Sequence, residues 1–242
     1  MTGGRFVIDT SKCTACRSCH VACKQWHSLP CEDTAFTGSY QNPPDMSGAN
    51  LNVVKFKEVE VSGKLKWLFF KDQCRHCKIP WCKLNCPLYA IDQLSNGIVK
   101  IDPAKCDPNA CSALEEKPCQ TACFFKVPKY KYVNNGNPVR TKMRKCDLCY
   151  NRLGNTDLPD GTRKPACMVA CPPGTMTVGG ADAMWTYAKN RALFLRTQGF
   201  PKATIYPHQQ GSWGETRVLW ILTDDWSLYD FPAGTYGYSY KY

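Results

Sequence analysis

An α+β fold is predicted for this chain, built from small tandem cysteine-loop modules with a β-hairpin insertion and a C-terminal helix/strand extension. Three observations carry that prediction. Sixteen of the seventeen cysteines fall into four quartets, Cys13-Cys16-Cys19-Cys23, Cys74-Cys77-Cys82-Cys86, Cys106-Cys111-Cys119-Cys123 and Cys146-Cys149-Cys167-Cys171, and every quartet ends in the same C-x3-C step. The order strand then cysteine loop occurs twice, as Phe6-Val7-Ile8-Asp9 before Lys12-Cys13 and as Val99-Lys100-Ile101-Asp102 before Lys105-Cys106. Residues 52–70 alternate polar and apolar on both sides of Ser62-Gly63, the period-2 pattern of a β-hairpin.

Each repeat reads as a strand, a cysteine loop and a short helix carrying the last cysteine, with Cys19 and Cys23 one helical turn apart. Four thiolates per quartet suit a [4Fe–4S] cube, which takes one thiolate per iron. The first quartet is the bacterial ferredoxin run C-x2-C-x2-C-x3-C, with Lys24 where a proline is usual; Pro87 and Pro172 supply that proline after the second and fourth. In two-cluster ferredoxins three close-spaced cysteines hold one cube and the fourth reaches a neighbouring one. The units are therefore expected to be tandem ferredoxin-like [4Fe–4S] modules, with four clusters in all. A disulfide framework is the rival reading, but such frameworks belong mostly to small secreted domains and no apolar leader follows Met1. Structural zinc could use the pairs Cys13/Cys16, Cys74/Cys77 and Cys146/Cys149, yet zinc sites combine separated pairs or Cys/His mixtures, and only four His occur.

With 17 Gly and 17 Pro beside 17 Cys in 242 residues, the composition describes a loop-rich chain pinned by something other than an ordinary apolar core. The formal charge of +11 suggests nucleic acid until the cofactors are counted. Each oxidised cube with its thiolates carries about −2, so four bring the holo-protein to roughly +3, and no nucleic-acid partner is expected. Lys12, Arg17, Lys24, Arg75, Lys78, Lys83, Lys105, Arg144 and Lys145 flank the ligands, where they balance cluster charge and raise potentials. The longest apolar runs, 67–70 and 218–222, fall far short of the ~18 residues of a membrane span.

Asn42-Pro43-Pro44-Asp45 and Ser47-Gly48 exclude a helix between Gln41 and Asn50 and leave a structured or partner-wrapping loop. Beyond Cys171, Asp182 is placed to cap a helix running to about Arg196, with Met184, Tyr187, Ala188, Ala192 and Leu195 on one face; Thr216 to Leu222 reads as a strand. The tyrosine-rich end, Tyr236 to Tyr242, reads as an arm that docks either on a partner or on its own domain. Cys31 lies outside every quartet and precedes Glu32-Asp33, which disfavours a thiolate, so it is expected to be a free thiol. His76 stands between two ligands, where its ring either donates to a cluster sulfur or faces solvent or backbone. His20 and His27 carry no better signal. Trp26, Trp81 and Phe124-Phe125 are expected to keep water off the clusters. No catalytic constellation and no phosphate-binding loop can be assembled, so the chain is expected to conduct electrons and to hold no catalytic site.

Four such quartets resemble the iron–sulfur subunits of the molybdenum/tungsten-bis(pyranopterin) oxidoreductases. Within that group "CTACRSCHVACKQWHSLP" (Cys13 to Pro30), "GSYQNPPD" (Gly38 to Asp45), "WLFFKDQCRHC" (Trp67 to Cys77), "RKCDLC" (Arg144 to Cys149) and "PACMVACPPGTM" (Pro165 to Met176) resemble the small subunit of formate dehydrogenases, over most of residues 5–222. The third quartet departs from the pattern, with a C-x4-C-x7-C start looser than the usual C-x2-C. The resemblance implies that the first quartet pairs with the fourth and the second with the third. Cys13, Cys16, Cys19 and Cys171 would then hold cluster 1; Cys23, Cys146, Cys149 and Cys167 cluster 2; Cys74, Cys77, Cys82 and Cys123 cluster 3; and Cys86, Cys106, Cys111 and Cys119 cluster 4. Residues 1–35 with 140–180 would form one module, 74–139 the other, 36–73 the insertion and 181–242 the docking extension.

By the same resemblance the expected role is electron transfer in a heteromeric formate dehydrogenase. Electrons would come from a large molybdenum/tungsten-bis(pyranopterin) catalytic subunit, arrive at cluster 1, leave at the module of the second and third quartets, and pass to a soluble cytochrome c or similar acceptor. The equivalent subunit of a polysulfide, thiosulfate or sulfoxide reductase is the alternative, as is a stand-alone polyferredoxin; the long segments nearly free of cysteine speak against the latter. A periplasmic location by co-export with a signal-bearing partner is expected, with a cytoplasmic one as the alternative.

Overall fold

The computed structural model describes residues 4–153, 163–207 and 215–232. Strand β1 (Gly4–Asp9) ends in a single 3-10 turn, where the Asp9 carboxylate accepts from the Ser11 N–H at 3.0 Å. After the first cysteine loop, helix α1 (Ser18–Trp26) buries Cys19 and Cys23 one turn apart. Strands β2 (Val53–Val61) and β3 (Lys64–Asp72) form the predicted hairpin. Its two-residue turn puts Ser62 at φ 53° and Gly63 at φ 72°, the left-handed pair whose twist matches an antiparallel ribbon.

The middle of the chain has short elements. Helix α2 (Trp81–Leu84) leads to strands β4 (Ile91–Gln93) and β5 (Val99–Ile101), which pair antiparallel. Helices α3 (Pro108–Cys111) and α4 (Pro118–Thr121) both start on proline, which suits the first helical turn. Asp107 caps α3 by accepting from the N–H groups of Asn109 and Ala110 at 2.8 and 3.3 Å. Strands β6 (Lys129–Asn134) and β7 (Asn137–Arg144) make a second hairpin around Asn135-Gly136, at φ 48° and 75°. The sequence reading overlooked this hairpin, although Asn-Gly between alternating runs is a strong signal for one.

Helices α5 (Tyr150–Leu153) and α6 (Ala166–Val169) flank the loop of the fourth quartet, followed by β8 (Met176–Gly180), α7 (Ala181–Thr197), β9 (Thr204–Tyr206) and β10 (Val218–Leu222). The sheet order is β8-β1-β10-β9, with β1 and β10 parallel and the outer pairs antiparallel. All five residues of β10 are buried, so the C-terminal segment supplies a central strand. The period of two sorts the side chains. Val7, Leu219 and Ile221 face α7, while Phe6, Ile8, Val218, Trp220 and Leu222 face a core that also contains Cys19, Cys74, Cys146 and Cys167.

Helix α7 begins one residue before the expected cap: Gly180 is its N-cap, and Asp182 sits in the first turn, where it favours the positive end of the helix dipole. Its buried stripe is Ala181, Trp185, Ala188, Ala192 and Leu195, with Met184 and Tyr187 only flanking it. The alternating four- and three-residue spacing of 181, 185, 188, 192 and 195 makes one helical stripe with Trp185 in it. The expectation that no ordinary apolar core pins the chain is thereby corrected, since this sheet and helix make one. The tyrosine arm lies outside the described residues. The loop at 41–50 is structured: Gln41 donates to the Pro43 carbonyl at 2.7 Å, and Asp45 pairs with Lys55 and Lys129 at 3.0 and 2.9 Å.

Candidate metal centres

All seventeen cysteines are free thiols, and most of the sixteen in the quartets are buried or half-buried. The sulfurs gather in a definite pattern of neighbours. Burial pushes the Cys13 thiol up, and Cys171 and Cys16 add to the shift. Cys19 is pushed up to about 12 by burial, with Lys71 opposing and Cys167, Cys13 and Cys171 adding. Cys23 is raised by burial, then by Cys167 and, with Lys71 opposing, by Cys149; Cys146 is raised by burial and by Cys23 and Cys74 against the same lysine. Cys77 rises through burial and its neighbours Cys74, Cys123 and Cys82. Cys119 is pushed up to about 11 by burial, relieved by Tyr130 and augmented by Cys86, Cys106 and Cys111.

In every quartet the first three cysteines thus stand beside the last cysteine of another quartet. Cys171 lies by Cys13 and Cys19, Cys23 by Cys146, Cys149 and Cys167, Cys123 by Cys74 and Cys77, and Cys86 by Cys106 and Cys119. Successive groups are also close enough to act on one another electrostatically: Cys19 feels Cys167, Cys146 feels Cys74, and Cys82 feels Cys119. The sulfurs thus form a line of four groups.

The donor set fits iron–sulfur clusters. Cys13, Cys16, Cys19 and Cys171 line one cavity with Lys71 on its wall. Buried thiols so far above their ordinary range stay protonated without a metal, and metal binding releases those protons. Polar hydrogens are aimed at the sulfurs: the N–H groups of Ala90, Met143, Leu148 and Thr175 reach Cys86, Cys106, Cys146 and Cys171 at 3.3–3.4 Å, and the Tyr130 hydroxyl lies 3.0 Å from Cys119 Sγ. Such donors favour the charged sulfur. Cys16 differs from the rest. It is exposed, and its thiol is lowered by the Ser18 hydroxyl at 3.4 Å.

Cys31 is exposed and stands outside all four groups. His76 is fully buried; its Nδ1 accepts from the Val99 N–H at 3.0 Å, which leaves the proton on Nε2, an atom with no partner among the described residues. Of the options left open by the sequence, the backbone-bonded one is seen, and no donation from the ring to a cysteine sulfur occurs among the described residues. His20 Nε2 bonds Asn50 Oδ1 at 2.6 Å, and His27 Nε2 lies 3.4 Å from Asp147. Trp26, Trp81 and Phe125 are half-buried as packing, with Arg152 over Trp26 and Arg75 over Phe125. Phe124 is 44% exposed, contrary to expectation, and packs edge-on against Phe125 with ring centroids 5.7 Å apart. Of the flanking cations only Arg75 and Lys145 are buried. The sequence reading missed Lys71, which closes the apolar run Trp67 to Phe70 three residues before Cys74. It also missed Tyr130, which carries no signal beyond its place after the third quartet.

The model of the 4Fe-4S dicluster domain matches residues 65–181, which contain the second, third and fourth quartets. The chain is 35% identical over 236 residues to the formate dehydrogenase 2 subunit beta (cytochrome c-553) of Nitratidesulfovibrio vulgaris, covering 95% of this chain and 97% of that one. It is 38% identical over 194 residues to the formate dehydrogenase subunit beta of Megalodesulfovibrio gigas, covering 79% and 83%. This chain belongs to the formate dehydrogenase iron–sulfur (beta) subunits. The formate dehydrogenase-O iron-sulfur subunit of Escherichia coli is 34% identical over 219 residues, 89% of this chain and 65% of that one. As a beta subunit the chain serves electron transfer in a formate dehydrogenase through [4Fe–4S] clusters. Among its described residues no helix is long and apolar enough to cross a membrane.

Proposed function

We propose that this beta subunit is non-catalytic and holds four [4Fe–4S] clusters in a line, conducting electrons from a molybdenum/tungsten-bis(pyranopterin) catalytic subunit to an external acceptor. The observation that carries this reading is the line of sulfur neighbours, in which adjacent groups meet through Cys19 and Cys167, Cys146 and Cys74, and Cys82 and Cys119. The ligand sets are Cys13/Cys16/Cys19/Cys171, Cys23/Cys146/Cys149/Cys167, Cys74/Cys77/Cys82/Cys123 and Cys86/Cys106/Cys111/Cys119. They make two ferredoxin-like modules, residues 1–35 with 140–180 and residues 74–139, with 36–73 inserted and 181–242 as an extension. Each cube, when bound, takes up and gives back one electron. Oxidation of formate to carbon dioxide releases one proton and two electrons, so the two electrons travel singly.

The chain's own residues hold the path and keep it dry. Fifteen of the sixteen ligand thiols are shielded from bulk water to some degree, and Cys16 alone is exposed. Exposure at Cys16 favours that end as the face toward the catalytic subunit, because electron transfer between proteins needs one cofactor near the surface. Four thiolates close each set, leaving no iron position open to substrate. The acceptor is a soluble cytochrome c or a similar carrier; the Nitratidesulfovibrio relative has cytochrome c-553 in its name. A periplasmic site reached with a signal-bearing partner completes the reading.

Replacing Cys171 with alanine tests it. The native complex should lose or alter the EPR signal of the Cys13/Cys16/Cys19 set and retain that of Cys146, Cys149 and Cys167, with formate still reducing the catalytic subunit. Loss of the latter signal instead refutes the crossed sets. A wild-type complex whose beta-subunit clusters stay oxidised under formate refutes the conducting role.

A further inference from the structure

Two lysine side chains are buried inside the line of sulfurs. Lys71 is 2% exposed and Lys145 4%, and neither has a carboxylate within ion-pair distance among the described residues. Lys71 Nζ donates to the Gln73 side-chain carbonyl; Lys145 Nζ donates to the backbone carbonyls of Val99 and, at 3.0 Å, Cys146. These partners are neutral. An ammonium removed from water costs several kcal/mol unless a countercharge faces it, and buried charges in proteins are paired for that reason. The countercharge here is sulfur. Lys71 is surrounded by Cys167, Cys146 and Cys23 of one set and by Cys19 of the set before it. Lys145 faces Cys74 and Cys82 of one set and Cys146 of another, with the neighbouring Asp147 carboxylate as a further but lesser negative charge. Both lysines also stand by the buried ring of His76, which places them in one seam.

We propose that Lys71 and Lys145 are internal countercharges of the electron path, Lys71 shared by the first and second ligand sets and Lys145 by the second and third. The proposal rests on the ligand sets given above. Arrival of one electron takes a set from a net charge of about −2 to about −3 with no change in bonds and no proton moved. A fixed positive charge beside the sulfurs stabilises the more negative state, and it does so strongly where water is excluded. The second set faces both lysines, so its potential is raised by both. It is thereby kept from becoming a barrier between its neighbours, although its four cysteines are the most deeply buried group. The fourth set faces neither of these two lysines and serves as the internal reference; the buried Lys117 beside its Cys119 is unchanged in every variant and donates to the Ser112 carbonyl.

The test is an EPR-monitored redox titration of the native complex, poised chemically with dithionite and mediators and without formate. Lys71→Met should lower the potentials of the first and second sets, Lys145→Met those of the second and third. Each should shift the reduction equilibrium by tenfold or more, about 59 mV for a one-electron couple, with the fourth set unmoved. Lys71→Arg keeps the charge and should keep the potentials. Lys105→Met, at an exposed lysine beside Cys106, should shift its set by much less, because solvent screens it. Unmoved potentials in methionine variants that retain full iron overturn the proposal, as does an equal shift of all four sets. If a methionine variant loses iron, the arginine variant decides. Full iron and wild-type potentials in Lys71→Arg support a charge requirement, whereas iron loss there as well makes the position steric and overturns the proposal. Iron content of the wild type, measured on the same material, is where the ligand-set reading itself fails, so the two failures are read on different scales.

Discussion

The first and fourth quartets lie under a four-stranded sheet whose strands β1 and β10 are buried on both faces, whereas the second and third are carried by four-residue helices around the three-residue strands β4 and β5. The same cysteine chemistry is thus supported in two ways. Around the sheet, Phe6, Ile8, Val218, Trp220 and Leu222 share a core with Cys19, Cys146 and Cys167, and with Cys74 as the one buried cysteine of the second quartet there, so the protein shapes the site before metal arrives. The middle region has a smaller core, Ala90, Ile91, Val99, Tyr130 and Met143, in which Cys106 and Cys119 are themselves members. Its surroundings leave Leu84, Tyr89 and Leu114 at 61–82% exposure. A short strand pair with so few apolar residues is marginal by itself, so in this region the clusters must do what the sheet does elsewhere.

Removing iron should therefore separate the two regions, and this is the largest effect expected. Structural metal sites contribute folding free energy on the order of 10 kcal/mol. Hydrogen exchange after chelation should show β4, β5 and α2 to α4 exchanging freely while β1 and β10 stay protected under α7. Simultaneous loss of protection in β10 would mean that the sheet also depends on metal, and the contrast would fall.

A cavity in the sheet should produce the reverse pattern. Trp220 is fully buried, and its indole N–H donates to the Lys71 carbonyl at 2.9 Å. Trp220→Ala should cost about 3–5 kcal/mol of local stability, read as lost protection in β1, β9 and β10 with β4 and β5 unchanged in the iron-loaded protein. Ile91→Ala, in the smaller core, should cost less, ~2 kcal/mol, because the clusters still tie that region together. Equal costs at the two positions would show that the cores bear equal loads.

A third comparison concerns the sulfurs. Tyr130 places its hydroxyl 3.0 Å from the buried Cys119 Sγ, in the middle region, while the first set has the Ser18 hydroxyl only at the exposed Cys16, the Thr175 N–H at Cys171, and Lys71 on its wall. Tyr130→Phe removes one hydrogen bond to a charged acceptor, about 1–2 kcal/mol, and should lower the potential of the fourth set alone in a redox titration. A shift in the first set would place the tyrosine's influence elsewhere.

How far the sequence reached follows the same division. The quartets were legible because thiolate spacing is set by the cube, and the strands at Phe6 and Val99 were legible because each precedes its loop. The β2–β3 hairpin and the helix at 181–197 showed in their periods. Insertion of β10 beside β1 was not legible, because a parallel pairing across more than two hundred residues leaves no local trace. Lys71 was hidden for a related reason. In sequence it is one of 31 basic residues, and only the fold turns it inward among thiols from the first and fourth quartets. Trp185 displaced the predicted edge of the α7 stripe because the helix packs on Val7, Leu219 and Ile221, whose positions come from that same unreadable pairing.

The smallest effect expected lies at the strap between the two regions. Asp45 accepts from Lys55 on β2 at 3.0 Å and from Lys129 on β6 at 2.9 Å, so one carboxylate joins the insertion to the strand that follows the third quartet. Burial pushes this carboxyl up, but the two lysines more than offset it and hold it below the usual carboxylate range. A carboxylate depressed in the folded state contributes stability above its unfolded value and loses it as pH falls toward the folded value. Its side chain is 47% exposed, so solvent screening limits the contribution to at most about 1 kcal/mol. Asp45→Asn should loosen residues 41–50 and β6 by that amount in hydrogen exchange, corrected for intrinsic rates. Since the loss in the wild type begins only below about pH 4, the difference between wild type and variant should be the same at pH 8 and at pH 5 in protein that retains its full iron. A difference that vanishes by pH 5 would show that the two lysines do not hold Asp45 down, and the strap would then be a contact of shape rather than of charge.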